Sequence, residues 1–253
     1  MSKLLDTAIK AAKAAEEVIL EHYGTDVVVE TKYDESPVTV ADRDSEHVIR
    51  DIIRDTFPTH GFLGEEHGRE QGSDDYLWII DPIDGTKNFT RGVPLFGTLI
   101  ALMHNNELVL GVSNLPALHE MIYAEKGSGA YLGDKRLHVS NTMRLDEAYV
   151  AFGGLSRFEE KNKVKALIEL EDMTRGHRGF GDCWMYHLLA KGNIDIVLEA
   201  RINIWDIAAG AAIVTEAGGV CTDFQGNAIR ADSTSMIACN GQFHDQLISM
   251  FSE

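Results

Sequence analysis

Trp78-Ile79-Ile80-Asp81-Pro82-Ile83-Asp84-Gly85-Thr86 runs from buried-strand residues straight into two carboxylates and a turn. An Asp at the end of a buried strand is costly unless something offsets its desolvation. A hard divalent cation does so, because Mg²⁺ takes oxygen ligands and binds readily beside phosphate. Asp81 and Asp84, three residues apart across a proline, can converge on clustered metals, and the Ile83 carbonyl between them can add a ligand. Gly85 and Thr86 then offer backbone N–H groups where a turn or helix begins, a natural seat for phosphate.

Two further segments end an apolar run in a carboxylate: Gly64-Glu65-Glu66 after Phe62-Leu63, and Ile204-Trp205-Asp206 at the opening of a helical pattern. Each has a plainer reading. Asp-Pro and Asp-Gly are common turn formers, Glu65-Glu66 can be a solvated loop, and Asp206 can cap its helix. Together they suit hydrolysis of a phosphate monoester, which needs charge shielding, an activated water and a stabilised leaving oxygen.

Bulk properties exclude several classes. The chain has 253 residues, 44% apolar and 8% aromatic, enough for a folded core. Forty acidic against 23 basic residues give a net charge of −17, which opposes nucleic acid as the main ligand. Three cysteines without a CxxC spacing suit reduced thiols. With no signal peptide and no apolar stretch of roughly 20 residues, a cytoplasmic protein without a membrane span is expected.

The chain reads as a single unit, 1–253, with approximate subdomains 1–145 and 146–253: a metal- and phosphate-binding half, then a substrate-specificity half. Leu4, Leu5, Ala8, Ala11, Ala12, Ala15, Val18 and Ile19 recur at helical spacing. A second helix is predicted over Asp44–Thr56, with Pro58 beyond it. Val27 to Glu30 reads as extended and Ser36-Pro37 as a loop. Short apolar runs at Tyr76–Ile80, Phe96–Met103, Leu108–Val112, Met121–Ala124 and Ala130–Leu132 suit an antiparallel meander. Beyond Gly153, helices are predicted near Arg157–Met173, Asp182–Lys191, Ile207–Ala217 and Phe243–Phe251, with strands near Ile194–Glu199, Val220–Asp223 and Met236–Cys239. Strand runs with helices layered beside them indicate an α+β sandwich.

In order and spacing, five blocks resemble the inositol monophosphatase superfamily over nearly the whole chain. They are Pro37-Val38-Thr39-Val40-Ala41-Asp42, Gly64-Glu65-Glu66, Trp78–Thr86 with Asn88-Phe89, Trp205-Asp206-Ile207-Ala208-Ala209-Gly210, and Glu216-Ala217-Gly218-Gly219. The resemblance implies a layered αβαβα sandwich, commonly a homodimer, and a Mg²⁺-dependent phosphatase using two or three ions. By position, Glu65, Asp81, the Ile83 carbonyl, Asp84 and Asp206 match the metal ligands. Asp42, Glu65 and Thr86 match catalytic residues, with Thr86 and Asp42 orienting and deprotonating the attacking water. Gly85 and Thr86 would hold the phosphate through their amides, and Lys32 lies near a family lysine close to the metals. The implied chemistry is in-line attack by metal-activated water, without a phosphoenzyme.

The leaving alcohol is read by the second half. Glu199 lies where inositol monophosphatases contact substrate hydroxyls. Asp182 in Gly181-Asp182 resembles the histidinol-phosphate phosphatase branch, as do Glu35–Asp42 and Thr86–Phe89. A carboxylate pair would favour the protonated amine of histidinol phosphate. Asp182 as a helix N-cap and Glu199 as a surface acid are the plainer alternatives. The substrate expectation is therefore histidinol phosphate, in histidine biosynthesis. Inositol 1-phosphate or a broad range of sugar phosphates is the alternative, and a regulatory interaction protein on the same fold is an alternative of another class.

Overall fold

A computed structural model of the chain describes residues 1–25, 28–31 and 37–252. Helices α1 (Lys3–His22) and α2 (Val40–Thr56) flank two short paired strands, β1 (Glu30–Thr31) and β2 (Pro37–Val38). The first large sheet holds β3 (Gly61–Gly64), β4 (Gly68–Glu70), β5 (Tyr76–Asp84), β6 (Gly97–His104), β7 (Glu107–Leu115), β8 (Glu120–Glu125), β9 (Gly129–Leu132) and β10 (Lys135–Arg136). A single turn, α3 (Thr86–Phe89), links β5 to β6. The second sheet holds β11 (Tyr149–Phe152), β12 (Gly176–Arg178), β13 (Ile196–Ala200), β14 (Val220–Thr222) and β15 (Ser235–Cys239). Between these strands run α4 (Leu155–Glu160), α5 (Val164–Met173), α6 (Trp184–Ala190) and α7 (Ile204–Glu216), and α8 (His244–Phe251) closes the chain.

Alternation along β5 and β6 builds the layers. Trp78, Ile80, Ile100 and Leu102 face α1 and α2, where Ala8, Ala11, Ala12, Ala15, Ile49 and Ile53 cover them. The residues in between, Ile79, Leu99, Ala101 and Met103, face Ile207, Ala208 and Ala211 of α7. That middle layer of α6 and α7 also packs on the second sheet, whose far side is covered by α5 and α8 through Leu167, Leu170, Leu247 and Phe251. The result is the layered αβαβα sandwich. Between Asp206 at its start and Thr215-Glu216 at its end α7 is apolar all round, which suits this place, since a helix covered on both sides needs no polar face.

Several expected elements differ. The second helix starts four residues before Asp44, at Val40, because Thr39 and Asp42 form a capping box at its N-terminus. The predicted Arg157–Met173 helix breaks into α4 and α5 where Asn162 takes a left-handed conformation (φ 57°). Pro37 lies in a strand rather than a loop, while Ser36, Val27 and Lys32 lie outside the described residues. The meander is antiparallel from β5 to β10, but β3 joins β5 in parallel. Strands β3, β4, β11 and β12 were not anticipated; all are short, and β4 is wholly exposed, so none carries a strong apolar alternation.

Candidate active site

Residues three apart in a regular strand point to opposite faces. Asp81 and Asp84 do not, because β5 bulges between them: Asp81 pairs with Leu99 and Asp84 with Gly97, three steps against two. The extra residue lets Ile83 join the α1/α2 core while both carboxylates turn to the α7 side. Pro82 is tolerated there, since a bulge has no ladder bond for it to break. The Pro82 carbonyl instead accepts from the Thr98 hydroxyl (2.9 Å), and the Ile83 carbonyl from the Thr86 hydroxyl (2.9 Å).

Parallel pairing of β3 with β5 sets Gly64 against Ile80, and the Glu65 N–H donates to the Ile80 carbonyl (3.1 Å). Glu65 thus lies beside Asp81. From the middle layer, Asp206 arrives as the third residue of α7, where it accepts from the Asn203 N–H (3.0 Å). Asp81, Asp84 and Asp206 each bring an oxygen within 4.8 Å of the other two.

So many carboxylates cannot all ionise together without compensation. Burial, then the charge of Glu65, raises the Asp206 carboxyl to about 7. Asp81 and Asp84 are pushed well above the usual range, chiefly by burial and then by neighbouring carboxylates. Asp81 Oδ1 is buried without a hydrogen-bond partner among the described residues. A converging oxygen set with an orphaned oxygen fits a hard divalent cation.

Asp42 sits on the first turn of α2. Its Oδ2 accepts from the Thr39 N–H (2.7 Å) and hydroxyl (2.6 Å), leaving Oδ1 3.2 Å from Thr86 Oγ1. Gly85 (φ 84°) adopts the left-handed conformation that starts α3, and the first N–H groups of such a turn have no intrahelical acceptor.

Glu65, Asp81, Ile83, Asp84, Gly85, Thr86 and Asp206 line one cavity of about 380 Å³, together with Lys87, Arg157, Asp182, Tyr186 and Glu199. Glu199 is buried near the end of β13, its Oε2 without a hydrogen-bond partner among the described residues, and Gly153 supplies the space: a Cβ there would lie 2.1 Å from that oxygen. Burial raises Glu199 to about 8; Arg157 opposes the rise, while Asp206 and Asp182 add to it. Glu199 is therefore no surface acid.

Asp182 does not cap α6 through its side chain. Gly181 and Asp182 both adopt left-handed conformations (φ 63° and 53°), and Asp182 Oδ2 accepts from Asn88 Nδ2 (2.9 Å). Helix α6 starts two residues later, at Trp184, and the Cys183 N–H donates to Asp84 Oδ2. Burial raises the Asp182 carboxyl, and the cations Arg157 and Lys87 pull it back.

The structure thus gathers Asp42, Glu65, Asp81, Ile83, Asp84, Gly85, Thr86, Asp182, Glu199 and Asp206 in one region; Lys32 lies outside the described residues. Asn88 and Thr39 stand in motif blocks of the sequence without a role assigned to them, and Arg157 in none. Thr39 had a signal, Thr-x-x-Asp before an apolar helix stripe; Arg157 had none, since only the fold of α4 brings it to Glu199. His187, buried on α6, bridges Glu120 (2.6 Å) and Ser113 (2.8 Å) and takes no part in the cavity lining.

Among the described residues, no helix is long and apolar enough to cross a membrane. A sequence profile of the inositol monophosphatase family matches residues 1–253. The chain is 38% identical over 252 residues to a histidinol-phosphatase of Streptomyces coelicolor, covering 96% of this chain and 94% of that one. It is 39% identical over 251 residues to a fructose-1,6-bisphosphatase/inositol-1-monophosphatase of Thermotoga maritima, covering 98% and 96%. The solved structure of a Thermotoga maritima inositol monophosphatase superposes with a TM-score of 0.89 at 38% identity, covering 99% and 97%. The chain belongs to the inositol monophosphatase family and is a phosphatase of phosphate monoesters.

Proposed function

We propose that this phosphatase hydrolyses histidinol phosphate with Mg²⁺ held by Glu65, Asp81, the Ile83 carbonyl, Asp84 and Asp206. The observation that carries the substrate reading is the buried carboxylate of Glu199, whose Oε2 has no partner among the described residues, in a cavity shared with Asp182. A protonated amine would satisfy that oxygen, and its charge would draw the proton off Glu199. The approximate division at 145/146 follows the same logic: residues before it bind phosphate, and Asp182 and Glu199 after it read the leaving alcohol.

When bound, the cation shields the phosphoryl oxygens and raises the acidity of a water at the site. The chain's own residues do the rest. The Gly85 and Thr86 amides seat the phosphate. Thr86 has one hydroxyl proton and two acceptors, Ile83 O and Asp42 Oδ1. Donating to Asp42 turns the Thr86 oxygen lone pair toward a water, which it orients and whose proton it can pass toward Asp42. Thr39 fixes Asp42 for this by occupying its other oxygen.

Arg157 favours a second reading. A guanidinium near Asp182 and Glu199 already opposes their charge, and with Lys87 it offers two cations to a second phosphate, as in fructose 1,6-bisphosphate. A panel of histidinol phosphate, inositol 1-phosphate and fructose 1,6-bisphosphate at saturating Mg²⁺ separates these readings. Preference for histidinol phosphate, lost selectively in Asp182→Ala, is the expected result. Equal or better kcat/KM on either other ester sinks the histidinol reading.

A further inference from the structure

We infer that Glu46, which lies outside the cavity lining, is a positioning residue that sets cation affinity by holding the turn that carries Glu65. The inference rests on the reading of Glu65 as a ligand. Glu46 lies one helical turn after Asp42 on α2 and is fully buried. Its Oε2 accepts from the Glu66 N–H (2.8 Å), and its Oε1 from the His67 N–H (3.3 Å) and from Arg50 Nη1 (3.0 Å). In the turn between β3 and β4, the amides of Glu66 and His67 therefore both rest on this carboxylate, while that of Glu65 goes to Ile80. Gly64 admits it: a Cβ at that position would lie 1.9 Å from Glu46 Oε1.

The far side is tied down as well. Arg50 continues to Glu70 of β4 (2.8 Å), which Arg54 also reaches (2.8 Å). Helix α2 thus presents Asp42 toward Thr86 and, four residues on, Glu46 toward Glu65. Residues at that spacing lie on one helix face. One rigid helix consequently sets the offset between the water-orienting pair and the Glu65 turn.

Stability alone does not account for such a group. A buried ion pair can usually be replaced by apolar side chains of similar volume with little loss, and β4 is a short, exposed strand at the edge of its sheet. What an apolar pair cannot supply is an acceptor for the Glu66 and His67 amides.

The test compares wild type, Glu46→Gln, the double variant Glu46→Met/Arg50→Met, and Glu65→Gln. Mn²⁺ binding without substrate is measured by calorimetry, beside urea midpoints and Mg²⁺-dependent kcat. Affinity is expected to fall roughly 10- to 100-fold in both Glu46 variants, the usual effect of losing a group that orients a ligand. The double variant should still unfold in one cooperative urea transition with the wild-type m value, so that a fold defect is separated from a positioning defect. In Glu46→Gln, kcat should recover at high Mg²⁺. Wild-type affinity in a folded Glu46→Met/Arg50→Met protein overturns the inference. Wild-type affinity in Glu65→Gln overturns instead the ligand reading beneath it.

Discussion

Replacing Glu199 by Gln should stabilise the cation-free protein, by an amount that grows with pH. The folded-state value is about 8, against 4.5 for a free glutamate, with burial as the main cause. Because the folded state holds its proton more tightly than the unfolded state, stability is lost as pH rises from about 4.5 to about 8 and is level above that. At pH 7 the loss is about 3 kcal/mol, and on the plateau about 5 kcal/mol. Gln keeps the shape and removes the titration. Urea unfolding in EDTA at several pH values from 5 to 9, variant minus wild type, cancels most of what the other raised carboxylates contribute; relief of Asp206 and Asp182 from the Glu199 charge acts in the same direction. The difference should climb from about 1 kcal/mol at pH 5. A difference that stays flat across that range refutes the claim that Glu199 is held protonated by burial. The same variant should lose about 10- to 100-fold in kcat/KM toward a cationic substrate, the worth of one hydrogen bond to a charged group.

Thr86→Val removes the hydroxyl between Ile83 O and Asp42; kcat should fall by about 10²- to 10⁴-fold with KM little changed, as steady-state kinetics will show. Asp84→Asn should abolish Mg²⁺-dependent turnover yet raise the cation-free urea stability by more than about 1 kcal/mol at pH 8, since it removes one of the crowded carboxylates while leaving Cys183 an acceptor. Mg²⁺ should raise the melting temperature more at pH 6 than at pH 5, because ligands must first shed protons. In weakly buffered solution its binding should release protons, with about 2.7 kcal/mol of stabilisation at a hundredfold excess over Kd.

Legibility of the site followed how local each signal was. Asp81, Asp84, Glu65 and Asp206 stand at ends of apolar runs, and their convergence is visible once those runs are taken as neighbours. The bulge was not read, although Pro82 inside an otherwise central strand is a signal for one; the three steps of β5 that face two of β6 emerge only from the pairing with β6. Asp42 stood out as part of a motif while its helix was started too late, because a capping box closed by Asp rather than Glu is a weaker start signal. An α+β sandwich was legible from apolar spacing, and its αβαβα layering from the family resemblance. The second sheet's parallel β11–β12 and β11–β13 pairs were less so, since strands distant in sequence pair only through tertiary packing. Asp182 was named, but its partner Asn88 lies 94 residues away.

The bulge in β5 also separates the survival of the fold from the survival of its chemistry. A chain lacking Pro82 would carry Asp81 and Asp84 two residues apart, on one face of an ordinary strand, with Ile83 still directed at the α1/α2 core. Nothing in its apolar pattern would betray the deletion. The Ile83 carbonyl, however, would return to a regular ladder instead of standing free beside Thr86. Descendants of this gene that have lost one codon here should persist as well-folded, inert proteins, and the length of this segment distinguishes them where hydrophobicity cannot.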